Sequence, residues 1–311
     1  MQQTLDIVLP VFGILAVGYA FAKARILGES VADGLTAYIY NVAMPLLLFR
    51  SMATARMPET FPIEYLAAYF APAAIVWTLS TVIASKILRL PAPESAIAGL
   101  ASAYSNTMML GLPLVLITYG DAGQVPLFIL LSVHLPLMTV ACAVHLEIVQ
   151  GGGRVADVAR RSLTGLIIHP IIIGVFAGLA WRLTGIGVPA AADAVVKTIA
   201  DTGIACALFA MGLTLSRYSI RGALRPASVI TVLKLVAMPA LVWTTGTYVI
   251  GLDPVWTGVL TIFAAAPVGI NPFIFASRYK AGVPMVSSAI ALSTALSVVT
   301  VTTILFWLTR G

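Results

Sequence analysis

The chain has 311 residues, 60% of them apolar and 10% charged, with a formal net charge of +6. Soluble globular chains carry about 25% charged residues, and the mean hydropathy here is +1.01. This is the composition of a polytopic membrane protein, and it excludes a disordered chain, a nucleic-acid binder and a secreted disulfide scaffold. The cations are read as topology signals. The two cysteines, Cys142 and Cys206, lie in apolar runs and are read as packing thiols.

A spanning helix takes about 20 mostly apolar residues. In chain order, residues 7–22 form the first charge-free run; no cation precedes it, so a cleaved signal peptide is not expected. Residues 34–49 form the second, reaching about Ala55 if Arg50 snorkels. Residues 65–85, 95–120 and 122–146 are spans three to five, and 162–181, 191–216, 224–252, 254–277 and 281–309 are spans six to ten. The runs are too long for barrel strands and lack alternation, so helices are expected throughout. The loops after spans one, three, five, seven and nine hold twelve of the 18 Lys and Arg residues. The opposite side holds Arg50, Arg56, Arg182, Lys197 and Arg310, and Lys234 is left inside the membrane. The cation-rich side is expected to be cytoplasmic, with both termini outside. Residues 150–161 read as a cytoplasmic linker between two five-helix units, 1–149 and 162–311.

The two units resemble each other. At an offset of 160, Pro10 matches Pro170, Gly18 matches Gly178, Ala32-Asp33 matches Ala192-Asp193, and Phe49 matches Phe209. Trp77-Thr78 has a counterpart in Trp243-Thr244; Pro113 matches Pro272 at an offset of 159, and Val125-Pro126 matches Val283-Pro284 at 158. Nearly constant offsets along five consecutive spans are hard to obtain by chance. With five spans each, the copies must cross in opposite senses, giving a 5+5 inverted repeat associated with secondary transporters.

Span four contains Ser105-Asn106-Thr107 and then Gly111-Leu112-Pro113; span nine contains Pro267-Val268-Gly269-Ile270-Asn271-Pro272. A proline removes a donor and crowds the preceding turn, and an adjoining glycine lets the chain open. Backbone groups freed at membrane depth must be satisfied or must line a polar cavity. Matching breaks in two copies point to a substrate site, expected here at the crossing of two broken helices and lined by Ser105, Asn106, Thr107, Gly111, Pro113, Gly269, Asn271 and Pro272. Half-helix N-termini suit a carboxylate, and Asn106 and Asn271 add amide donors. The expected substrate is a small organic anion.

These motifs resemble the auxin efflux carrier family, which includes plant auxin carriers and bacterial permeases for malonate or malate. The resemblance spans the chain and is strongest at AMPLLLF (Ala43–Phe49), NTMMLGLPL (Asn106–Leu114) and PVGINPFIFASRY (Pro267–Tyr279). It implies an all-α fold of ten transmembrane helices similar to bile-acid/sodium symporters. Spans 1, 2, 6 and 7 would form a scaffold, and spans 3–5 and 8–10 a core holding the crossed helices. It also implies transport of small organic anions by alternating access, a bacterial cytoplasmic membrane location, and a homodimer through the scaffold. Leu48 stands where a serine is expected in plant carriers and Asn271 where an aliphatic residue is expected, so the polar lining differs and auxin itself is disfavoured.

Other polar residues at membrane depth are candidates by default. Lys234 lies about ten residues into its span, roughly 15 Å along the helix. It is read either as the partner of Asp201 or as a fixed cation supporting the crossover carbonyls. His134 in span five reads as a proton carrier or as a neutral core histidine. Asn41 faces the site or satisfies backbone freed by Pro45. No phosphate-binding loop, metal-ligand cluster or nucleophile elbow is present, so no cofactor and no metal are expected. The expected partners are the organic anion and the bilayer, with no nucleic acid. The competing classes are an intramembrane enzyme, for which Asp201 is the only deep carboxylate, and an anion channel.

Overall fold

The computed structural model describes residues 2–54, 62–151, 155–220 and 222–308. Arg56, Arg154, Arg221 and Arg310, which enter the charge count, lie outside the described residues, as do Gly152 and Gly153 of the linker. The described chain is helical, with one isolated antiparallel bridge and no other strand pairing among the described residues. Among the described residues, seven helices are long and apolar enough to cross a membrane: Thr4–Lys23, Glu29–Thr54, Ile63–Ile87, Asp121–Gln150, Ala190–Leu215, Leu224–Ile250 and Val283–Leu308. Shorter apolar helices cover Thr107–Tyr119, Pro170–Leu183 and Pro254–Ala265. This is a multi-pass integral membrane protein.

The elements are α1 (Gln2–Lys23), α2 (Glu29–Tyr38), α3 (Met44–Thr54), α4 (Ile63–Val82), α5 (Ala92–Ala103), α6 (Leu112–Tyr119) and α7 (Asp121–Gln150). There follow α8 (Val155–Ile167), α9 (Pro170–Leu183), α10 (Ala190–Leu215), α11 (Leu224–Val232), α12 (Met238–Thr244), α13 (Pro254–Ala265), α14 (Asn271–Tyr279) and α15 (Val283–Leu308). Three joints follow one rule. The π-helical turns Ile39–Ala43, Thr107–Gly111 and Leu233–Ala237 each end two residues before a proline, at Pro45, Pro113 and Pro239. Proline has no N–H to donate and its ring crowds the turn before it. The helix widens to i→i−5 bonding there, as the Met44, Leu112 and Met238 amides do, and stays continuous.

That rule corrects one expectation. Pro113 lies inside a helical stretch from Thr107 to Tyr119, and the first break is confined to residues 104–106. The second break covers residues 266–270, immediately before Asn271-Pro272 at the start of α14. Pro113 and Pro272 therefore occupy different places, one inside a helix and one opening it. A second expectation also changes. Residues 162–181 do not form one helix: α8 ends at Ile167, His169 is extended, and Pro170 opens α9. The residue before a proline is driven out of the helical region, which explains the joint.

The closest helix packing runs α1 on α10 and α3 on α9, with α2 also on α10. The helices α4, α5, α7, α12, α13 and α15 pack among themselves. Small residues set the first group. A Cβ on Gly18 would lie 3.2 Å from the Phe209 carbonyl carbon, and one on Gly178 would lie 3.1 Å from that of Phe49. In membranes such small-residue contacts let helix backbones approach where no hydrophobic force drives them together. The two contacts exchange under the 160-residue offset. So do two ring pairs, Phe21 with Phe209 at 6.3 Å and Trp181 with Phe49 at 6.2 Å. Asp33 pairs with Arg217 at 2.7 Å and its counterpart Asp193 with Arg50 at 2.6 Å.

Candidate functional site

The two breaks meet. Asn106 N–H donates to the Pro267 carbonyl at 2.7 Å, and Gly269 N–H donates to the Tyr104 carbonyl at 3.0 Å. Ser105 and Val268 thus face each other as an antiparallel pair between those two bonds. Each extended segment satisfies backbone groups that the other helix lost on breaking, which irregular backbone at membrane depth requires. The approach is close enough to need glycine: a Cβ on Gly269 would lie 2.9 Å from the Ser105 carbonyl oxygen.

Neighbouring helices complete the accounting. The Val268 N–H donates to Ser293 Oγ on α15 at 3.1 Å. The Ala264 carbonyl, near the C-terminal end of α13, accepts from Lys234 Nζ. A cation there also suits the negative end of the helix dipole. Lys234 is 0% exposed. Its partner is this last-turn carbonyl of α13 and not Asp201, which is exposed and bonded to Lys197 at 2.5 Å. A partner one turn away on the same exposed helix face takes Asp201, so the structure does not bring Lys234 and Asp201 together.

A small cavity of about 30 Å3 lies at the crossing. Its wall includes Ser105, Asn106, Thr107, Gly269 and Asn271, five of the residues expected from sequence. Gly111, Pro113 and Pro272 are buried beside it without lining it. Asn106 caps the helix that follows: its Oδ1 accepts from Met109 N at 3.3 Å, and its Nδ2 contacts Met211 Sδ of α10 at 3.0 Å. Asn271 is half-buried and donates through Nδ2 to the Tyr104 hydroxyl. Ser105 Oγ and the Tyr69 hydroxyl lie 3.2 Å apart. At the start of the first half-helix the Met109 N–H is taken by Asn106 Oδ1; at the start of the second, Pro272 has no N–H and the Phe273 and Ile274 N–H groups donate to the Ile270 carbonyl.

Asn41 is exposed, and its Nδ2 donates to the Ala37 carbonyl at 2.7 Å. The adjacent Tyr40 lines the cavity instead. Tyr104, which touches Asn271, also escaped sequence reasoning. Its one signal was its place immediately before Ser105-Asn106. His134 lies behind the cavity, 1% exposed, within 4.9–6.3 Å of the rings of Tyr69, Phe70, Tyr104 and Phe263. Its Nε2 has no hydrogen-bond partner among the described residues. The Leu131 and Leu135 side chains on the same helix reach the cavity wall.

Comparison with known proteins adds a second kind of finding. The family model described as membrane transport protein matches residues 4–305. The chain is 26% identical over 312 residues to the "Putative malonate transporter" of Rhizobium meliloti (strain 1021), covering 100% of this chain and 98% of that protein. It is 26% identical over 297 residues to an "Uncharacterized transporter" of Methanothermobacter thermautotrophicus, covering 94% and 95%. It is 30% identical over 131 residues to "Auxin efflux carrier component 3a" of Oryza sativa subsp. japonica, covering 40% of this chain and 21% of that protein. Family and relatives mark a transporter rather than an enzyme.

Proposed function

This chain belongs to the membrane transport protein family, and we propose that it is a secondary carrier of small carboxylates working by alternating access at the crossing of its two breaks. The observation that carries the reading is the antiparallel pairing of residues 104–106 with 267–269, with Asn106 and Asn271 on the wall of the same cavity. The positive dipole ends of two half-helices and two side-chain amides suit an anion without a buried cation in direct contact. The name of the Rhizobium relative supports a dicarboxylate such as malonate.

Ten passes arranged as a 5+5 inverted repeat belong to this reading. The exchanged contacts Gly18 with Phe209 and Gly178 with Phe49 support it, because a twofold axis in the membrane plane maps one onto the other. The helices α1–α3, α9 and α10 then act as the scaffold, and the others around α5 and α13 as the moving core. The site lies in the cytoplasmic membrane of its cell, with the cation-rich loops inside.

Proteoliposomes containing the full chain and labelled malonate test the proposal. Saturable flux that external malonate accelerates is expected. Linear, unsaturated flux favours a channel. Asn106→Ala and Asn271→Ala are each expected to weaken binding while folding is retained, and unchanged affinity in both overturns the site.

A further inference from the structure

Tyr104 ties down the second crossing segment twice. Its carbonyl accepts the Gly269 N–H at 3.0 Å, and its hydroxyl accepts the Asn271 side-chain amide. Both ties fall on the wall of a cavity of about 30 Å3. That is room for about one water, less than a dicarboxylate needs. One of the two N–H donors of the amide assigned to the substrate is therefore engaged by a neighbour within the same site.

We propose that Tyr104 is a latch on Asn271: its hydroxyl competes with the arriving carboxylate for the Asn271 amide and so sets the affinity of the site. This rests on the reading of Asn271 as a carboxylate donor. The exchange runs toward the substrate, because a hydrogen bond to a charged acceptor is roughly twice as strong as one to a neutral oxygen. The latch bond reduces that gain by its own strength. Tyr104 is the fixed member. It is 3% exposed, and its ring stands edge-on to His134 with centroids 4.9 Å apart. Asn271 is half-buried, and it is the side chain that turns. The other amide, on Asn106, rests on the Met211 thioether, a weak acceptor that yields readily. The two asparagines are thus unequally restrained, and Tyr104 makes the difference.

The test is equilibrium binding of labelled malonate to the full chain in lipid nanodiscs, with succinate and acetate run beside it. Tyr104→Phe removes the hydroxyl and keeps the ring. It is expected to tighten the dissociation constant about 2- to 10-fold, the range of one neutral hydrogen bond. Asn271→Ala is expected to weaken it. If Tyr104→Phe yields no folded protein, Tyr104→Leu serves the same comparison. Asn271→Ala weaker than wild type, with Tyr104→Phe equal to or weaker than wild type, overturns the latch and leaves the site standing. Equal binding by wild type and Asn271→Ala overturns the role of Asn271 itself. Wild type that binds none of the three overturns both.

Discussion

Ser105 and Val268 stand opposite each other across two broken helices, flanked by the bonds Asn106 N–H to Pro267 O and Gly269 N–H to Tyr104 O. In an antiparallel pair of this kind, without mutual hydrogen bonds, the Cα atoms lie about 4.5 Å apart. That falls within the roughly 4.4–6.8 Å range of disulfides. In a background lacking Cys142 and Cys206, the double variant Ser105→Cys/Val268→Cys is expected to cross-link on mild oxidation. A mass shift measured on intact protein checks it, and no cross-link under oxidant means the segments do not pair.

Gly269 and Gly111 make a matched test of the crossing. A Cβ on Gly269 meets Ser105 backbone at 2.9 Å, whereas one on Gly111 meets nothing nearer than 3.4 Å. Gly269→Ala forces the two extended segments apart, at about 1–3 kcal/mol. It is expected to lower the thermal midpoint and abolish malonate uptake. Gly111→Ala is expected to retain both. Equal behaviour of the two variants contradicts the close approach.

Two side chains satisfy groups that the second break frees, and they differ in what they carry. Ser293→Ala leaves the Val268 N–H unpaired in the core and is expected to cost about 1–3 kcal/mol. Lys234→Met orphans the Ala264 carbonyl but also removes the desolvation burden of a buried ammonium. Its net loss is expected at about 1 kcal/mol, with a larger fall in transport. Thermal unfolding and uptake, measured on the same preparations, separate the two effects.

The contacts of Gly18 with Phe209 and of Gly178 with Phe49 are counterparts, so equal changes at the two glycines are expected to act equally. Gly18→Ala and Gly178→Ala each push a methyl into a facing backbone and are expected to destabilise by about 1–3 kcal/mol. Gly13, with nothing within 4 Å, is the control, and Gly13→Ala is expected to be neutral or slightly stabilising. A large difference between Gly18→Ala and Gly178→Ala speaks against an exchange relation.

Neighbouring residues in one π-helical turn face different ways. Tyr40→Ala removes a cavity wall and is expected to shift malonate affinity several-fold. Asn41→Ala, whose amide is already satisfied by Ala37, is expected to leave it unchanged. The same binding assay reads both, and the opposite ranking contradicts the placement of the cavity.

Part of the candidate cavity's wall was legible from residue order. Ser105-Asn106 and Gly269-Ile270-Asn271 announce themselves as polar or flexible residues inside long apolar runs, where hydrocarbon tolerates freed backbone groups only at a protected cavity. Pro113 misled, because a proline can be absorbed by a widened helical turn and need not break the helix. Asn41 misled as well. One residue is roughly a quarter of a helical turn, and the phase of that helix is set by its packing, which residue order does not contain.

Composition and the lengths of its charge-free runs by themselves determined that this chain lives in a bilayer and that it is helical, and residue order pointed to the neighbourhood of the two breaks. Those are local matters, decided by hydrophobicity and by the missing donor of proline. Only the tertiary structure decided which freed groups meet. The partners of Asn271, Asn106 and the Ala264 carbonyl are Tyr104, Met211 and Lys234, separated from them by 167, 105 and 30 positions. Hydrogen bonds act over about 3 Å, so such pairings exist only once packing has brought distant segments together.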